Sequence, residues 1–334
     1  MPTSRKWLGS AVRGLRSFAY GGAGERPRIG LALGGGFARG IAHIGVLRVF
    51  EEEGIPIDCL AGTSVGALIG AAYASGATLD DMERQGSETR FRDFGRWTLS
   101  RMGMASNERL EDFLRKFTTA RYFEELKLPF AIVATDIVRG ESVYFTTGEI
   151  GIALRASCAY PGLFLPVEYR GRSLVDGFLT DAVPTRAVRA LGANIAIGIY
   201  LEPGELKDKP RNTIEVIGRA FSIIQETQDP PWRHAADVVI EPDVHDVLWD
   251  GFIETPRLIA AGAAATRASL PKIRAAIARH NYEAVLPRDT APKLRLRTRS
   301  HSIIRPAPRA RRQSISVTTR GIAYRSRCIA SKQK

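Results

Sequence analysis

Three stretches of this 334-residue chain combine residue types and spacings that can do chemistry. The first is Gly62-Thr63-Ser64-Val65-Gly66, in which a serine has a glycine two residues to either side. A serine nucleophile must present its hydroxyl beyond a sheet edge, on a tight strand-to-helix turn. Flanking glycines give such a turn room for close backbone approach. The apolar run before Ser64 and the Ala/Gly-rich run after it predict that context. A helix starting there would also offer the Val65 N–H to a developing oxyanion. The competing reading is that Ser64 only caps the helix.

The second stretch is "GGGFARG", residues 34–40. Gly34, Gly35 and Gly36 follow a strand-like run and open a helical one, so their N–H groups can face an anion. A nucleotide phosphate is one candidate, with Glu51, Glu52 or Glu53 available as a ribose-binding acid. The dinucleotide pattern G-x-G-x-x-G, however, meets Arg39 where its third glycine should stand. Paired with a serine turn one βα unit later, the loop suits an oxyanion hole better.

The third is Asp176 in "LVDGFL". Taken alone, Asp176-Gly177 reads as a hairpin turn, because Asp-Gly is a common two-residue turn signal. Asp136 and Asp181 are alternative bases, and each also suits a strand end or helix cap. Of the five histidines, His43, His234, His245, His280 and His301, none has a local setting that marks it as the base of a Ser-His-Asp triad. From pattern alone the base stays open.

These residues need elements to hold them. "RIGLAL" (28–33) and "IDCLAG" (57–62) read as buried strands, each followed by a helical segment. Further strands are expected at 129–137, 194–201 and 237–242, and helices near 107–117, 148–157, 182–191, 212–228 and 256–280. "VEYRGRSLVDGFL" alternates and turns like a hairpin. The alternation predicts an α/β fold: a mostly parallel central sheet with helices on both faces. The expected domain spans residues 26–285, between a basic leader (1–25) and a basic tail (286–334).

The formal charge of +13 belongs to that tail. Residues 288–334 hold 14 Lys/Arg and one acid, and the rest of the chain holds 34 of each sign. The tail is too charged and too poor in apolar periodicity to build a core. It reads as a solvated segment or as one that meets anionic lipid or nucleic acid electrostatically. In the leader, Trp7, Leu8, Ala11, Val12, Leu15 and Phe18 would share one helical face beside Arg5, Lys6, Arg13 and Arg16. A disordered leader and a transit peptide are the alternatives. Three cysteines without paired spacing argue against a disulfide framework or a zinc site and favour a reducing compartment. No apolar stretch is long enough to span a membrane.

Together, "LALGGGFARGIAHIGVL", "AGTSVGALIGA" and "ASCAYPGLFLPVEYRGRSLVDGFLTDAVP" resemble the patatin-like phospholipase family, particularly its bacterial members. The three motifs stand in the family's order and cover most of residues 28–265. The resemblance implies a three-layer α/β/α sandwich and a histidine-free pair, with Ser64 as nucleophile and Asp176 as base. It implies that Gly34, Gly35 and Gly36 form the oxyanion loop and that Arg39 holds that loop or a substrate head group. The chain departs from the family in one place: Phe178 stands where Asp-Gly-Gly or Asp-Gly-Ala is usual.

The implied chemistry is hydrolysis of a phospholipid or lysophospholipid ester through an acyl-enzyme, with no metal and no cofactor. A cytoplasmic setting fits, with the basic ends suited to a membrane surface and no specific nucleic-acid partner. "AYPGLFLP" (159–166) would bring Tyr160, Leu163, Phe164 and Leu165 near the site. "RFRDFGRWTLSRMGM" (90–104) reads as an interfacial lid or as a surface helix packed on the core. Two other classes compete: a dinucleotide-dependent oxidoreductase, and a non-catalytic membrane or nucleic-acid binding protein.

Overall fold

The computed structural model describes residues 26–98, 100–202, 209, 210, 212–227 and 230–285. The basic leader and tail expected from the sequence lie outside the described residues. So does Leu99 of the 90–104 stretch.

Strand β1 (Ile29–Leu33) runs into the glycine loop, a 3-10 turn (Phe37–Ile41) and helix α1 (Ala42–Glu52). Strand β2 (Cys59–Thr63) leads through Ser64 into α2 (Val65–Ser75), and α3 (Leu79–Glu88) follows. Next come β3 (Arg96–Trp97), β4 (Gly103–Ser106) and α4 (Arg109–Leu114). Then follow β5 (Phe130–Asp136), β6 (Glu141–Phe145), α5 (Ile150–Ser157) and the short strands β7 (Gly162–Phe164), β8 (Val167–Tyr169) and β9 (Arg172–Asp176). The last elements are α6 (Thr185–Ala190), β10 (Ile195–Ile199), α7 (Thr213–Thr227), α8 (Pro231–Ala235), β11 (Val238–Ile240) and α9 (Thr255–Val285).

The main sheet runs β11-β10-β1-β2-β5-β9-β8, with β6 also on β5. Neighbours from β11 through β5 are parallel; β6, β8 and β9 are antiparallel additions. Alternate side chains point to opposite faces. Leu31, Leu33, Leu60 and Ile132 join one buried cluster with α1, α2 and α9, whereas Ala32, Cys59, Ala61, Ala131 and Val133 join a second with α6 and Trp232. The result is the three-layer α/β/α arrangement that the alternation predicted.

One detail of this sheet sets up the site. β6 overlaps both β2 and β9 in its pairing along β5, so it must occupy the opposite edge. β2 and β9 therefore share one edge of β5 and meet head to head. Thr63 pairs with Val133, and Asp176 pairs with the next residue, Ala134.

Two expectations are corrected. The hairpin between β8 and β9 turns at Arg170-Gly171, both at positive φ (48° and 72°), as a two-residue hairpin loop demands. Asp176-Gly177 instead ends β9 and opens a 3-10 turn. The described residues of 90–104 form no helix beyond a 3-10 turn at Phe91–Asp93. β3 and β4 pair there, and β4 adds to β7 in a small second sheet.

Candidate active site

Ser64 has φ 55° and ψ −124°, a conformation that costs a non-glycine residue energy and persists only when its surroundings impose it. The flanking glycines show why the turn needs them. A Cβ at Gly62 would lie 2.4 Å from the Gly66 carbonyl oxygen, and one at Gly66 would lie 2.1 Å from that of Leu33. Although Ser64 stands at the N-cap position, its side chain makes no cap bond. Its hydroxyl instead donates to Asp176 Oδ2 at 2.6 Å. The capping alternative is thereby excluded.

Asp176 is buried, and its other oxygen, Oδ1, accepts the Phe178 N–H at 3.0 Å. Loss of water around the carboxylate dominates its titration and raises the pKa to about 7, against the opposing bonds from Ser64 and Phe178. Phe178 thus contributes a backbone donor to the carboxylate it follows. Gly177 is required by crowding: a Cβ there would sit 2.3 Å from the Val133 carbonyl oxygen.

The other acids have different work. Asp136 accepts the N–H groups of Val138 and Arg139 and faces the guanidinium groups of Arg139 (2.7 Å) and Arg172 (3.5 Å). The hydrogen bond from Arg139 holds its carboxyl below the usual range, so it closes a strand end. Asp181 accepts the Tyr144 hydroxyl at 2.9 Å, and burial pushes its pKa up to about 6. It lines a neighbouring cavity that does not include Ser64.

The glycine loop lies over Ser64, with the position of a Gly35 Cβ only 3.4 Å from Ser64 Cβ. Its donors divide, however. The Gly34 N–H donates to Ile199 O at 3.1 Å and the Gly35 N–H to Ala182 O at 3.2 Å. These two hold the loop's shape and leave no hydrogen for a ligand, which corrects the expectation that all three glycines offer donors. The N–H groups of Gly36 and Val65 take no acceptor among the described residues. His43, pushed down to about 4 by burial, is neutral at pH 7 and donates from Nε2 to Gly34 O at 2.9 Å. It braces the loop.

Arg39 Nε donates to Gly36 O at 3.3 Å, and its guanidinium forms no ion pair among the described residues. Burial makes its charge costlier and lowers its pKa. Ser157 is a functional residue that the sequence reading missed: its buried hydroxyl accepts the Ser64 N–H at 2.8 Å. It is the last residue of α5, and no local pattern marks it for that contact.

Two cavities meet at Ser64 and Phe37. One, of about 100 Å³, is walled almost wholly by apolar side chains, including Leu68, Ile69, Met82, Phe113 and Phe164. The other, of about 160 Å³, contains Arg39, Tyr160, Asp176, Phe178 and Trp249. The predicted contact residues Tyr160 and Phe164 therefore fall into different compartments. Phe37, at φ 52°, packs edge-on against Tyr160 (5.0 Å) and Trp249 (5.5 Å) between the two. His245 also lines the second cavity and faces Asp243 at 2.8 Å, but the Ser64 hydroxyl is bonded to a carboxylate and to no imidazole. Among the described residues, no group of His, Cys, Asp and Glu could hold a metal ion.

Comparison with known proteins agrees with the motif order. A family model described as Patatin-like phospholipase matches residues 31–189. An uncharacterised NTE family protein of Mycobacterium tuberculosis is 36% identical over 200 residues, covering 58% of this chain and 55% of that one. Lysophospholipase NTE1 of Mycosarcoma maydis is 30% identical over 227 residues, covering 66% of this chain and 12% of that one. The chain thus spans about half the length of its mycobacterial relative and a small part of the fungal one. The crystal structure of VipD from Legionella pneumophila aligns with 77% of this chain and 68% of its own, at 13% identity and a TM-score of 0.43. The matched segment, residues 31–189, contains the glycine loop, Ser64 and Asp176 and is a patatin-like phospholipase domain.

Proposed function

We propose that the domain over residues 26–285 is a serine lipid acyl hydrolase of phospholipase A or lysophospholipase type. The observation that carries this reading is the 2.6 Å bond from the Ser64 hydroxyl, on a strained turn, to the desolvated Asp176 carboxylate. Asp176 takes the proton as Ser64 Oγ attacks an ester carbonyl. A carboxyl with a pKa near 7 is a far better base at neutral pH than one near the ordinary ~4. The Gly36 and Val65 N–H groups receive the tetrahedral oxyanion, with Gly34, Gly35 and His43 keeping the loop in place. The alcohol leaves with the proton from Asp176, and water activated by the same carboxylate releases the acid from the acyl-enzyme.

The linings of the two cavities support a division of the substrate between them. The apolar one takes an acyl chain, and the one holding the Arg39 cation takes the polar part of a phospholipid or lysophospholipid. The free thiols of Cys59 and Cys158 suit a cytoplasmic setting. No helix among the described residues is long and apolar enough to cross a membrane, and the basic ends are proposed to meet an anionic lipid surface.

The test is covalent labelling of the purified protein with a fluorophosphonate, with the adduct located by peptide mass. An adduct on Ser64, absent from Ser64→Ala, is expected. Absence of an adduct, with lipid or detergent present, would overturn the reading in favour of a non-catalytic lipid-binding protein.

A further inference from the structure

Gly86 lies near the C-terminal end of α3, a helix built with care elsewhere. Thr78 caps it by accepting the Asp81 N–H at 3.1 Å, and Asp80 and Asp81 occupy the first turn. A glycine inside a helix lowers stability relative to alanine, so its presence calls for a reason. The two usual reasons are absent. Its φ is not positive, so it is not a left-handed cap; and a Cβ there would meet nothing closer than Thr255 Cγ2 at 3.7 Å and Ile41 at 3.8 Å. What remains is room: a Cβ there would stand at ordinary contact distance from Ile41, itself a wall of the apolar cavity. Gly86 lines the apolar cavity, on the same face of the helix as Met82 and Thr89.

We infer that Gly86 is a specificity-determining residue that keeps this cavity open for a medium-length acyl chain. The inference rests on the hydrolase reading above. Ser64, Leu68 and Ala72, spaced along one face of α2 from its N-cap, line the same cavity. Eight residues of helix advance about 12 Å. An extended hydrocarbon advances roughly 1.25 Å per bond, from ordinary C–C lengths and angles, so this wall matches a chain of about ten carbons. A side chain at position 86 would occupy room that such a chain needs.

The experiment compares 4-nitrophenyl acetate, hexanoate, decanoate and palmitate as substrates of the wild type, Gly86→Ala and Gly86→Leu. The decanoate-to-acetate ratio of kcat/KM is expected to fall about tenfold in Gly86→Leu, as the loss of roughly two buried methylenes would give. It should fall less in Gly86→Ala, whose Tm should rise. An unchanged ratio in both variants would overturn the inference, as would a wild type that prefers palmitate to decanoate. Calorimetry of decanoate binding to Ser64→Ala and to Ser64→Ala/Gly86→Leu separates this inference from the hydrolase reading. Binding weakened about tenfold by the second substitution supports the chain site even if no ester is turned over. Equal binding to both proteins refutes it even if esters are hydrolysed.

Discussion

The Ser157 hydroxyl, at the end of α5, accepts the Ser64 N–H at 2.8 Å. A helix from elsewhere in the chain therefore holds the backbone of the strained residue whose side chain meets Asp176. In Ser157→Ala that N–H loses its buried acceptor, at a cost of about 1–3 kcal/mol. The expected result is a fall of about tenfold in kcat and in the rate of fluorophosphonate labelling, with KM little changed.

The Asp176 carboxyl must be ionised to accept a proton, and its pKa is about 7. The kcat/KM of an ester substrate should rise with pH, about tenfold per unit below 7, and level off above it. A profile flat from pH 5 to 8 would exclude Asp176 as the base.

The same shift has a stability consequence of fixed sign. A carboxyl whose folded pKa is raised contributes stability that is fully present below its unfolded value of about 4 and lost as pH rises to about 7. Asp176→Asn should therefore melt at a higher temperature than the wild type at pH 8, with the gap closing toward pH 4. Thermal denaturation across that range checks it.

Arg39 lines a cavity together with Ser64, and its charge has no ion-pair partner among the described residues. In Arg39→Met, KM for a lysophospholipid should rise about tenfold, consistent with loss of one charge-assisted hydrogen bond of ~1.5 kcal/mol. KM for a neutral 4-nitrophenyl ester should change far less. Equal effects on both would assign Arg39 to holding the loop alone.

Phe178 lines both the Ser64 cavity and the neighbouring cavity of about 980 Å³, with Phe221 packed edge-on behind it at 6.3 Å. Its backbone N–H, not its ring, serves Asp176. Phe178→Gly should thus keep the donor and join the cavities, raising kcat/KM for a diacyl substrate relative to a monoacyl one by about tenfold. Paired assays on the two substrates check it.

What the sequence made legible is what is local. The serine turn, its strand and its helix are contiguous, and the crowding that requires Gly62 comes from Gly66 and Ala67 a few residues on. Asp176 could not be found that way. Its partnership depends on β9 taking the same edge of β5 as β2, a pairing between residues 112 positions apart. Locally, Asp-Gly advertises a turn that the chain makes instead at Arg170-Gly171. The loop glycines mislead for a similar reason. Gly34 and Gly35 give their hydrogens to Ile199 and Ala182, which no local pattern foretells. The 90–104 stretch has the apolar and basic residues of an amphipathic helix, but β3 within it pairs with β4, which in turn adds to β7.

The meeting of β2 and β9 along β5 also bears on when the serine becomes reactive. A growing chain that has emerged as far as α2 already contains Ser64 with its strand and helix, but not Ser157, which holds its backbone. The base of Ser64 arrives more than a hundred residues later, and only when β9 pairs antiparallel with β5. Such long-range pairings form late and slowly. A ribosome-bound or misfolded chain would thus hold an inert serine, and reactivity at Ser64 would report that the sheet is complete.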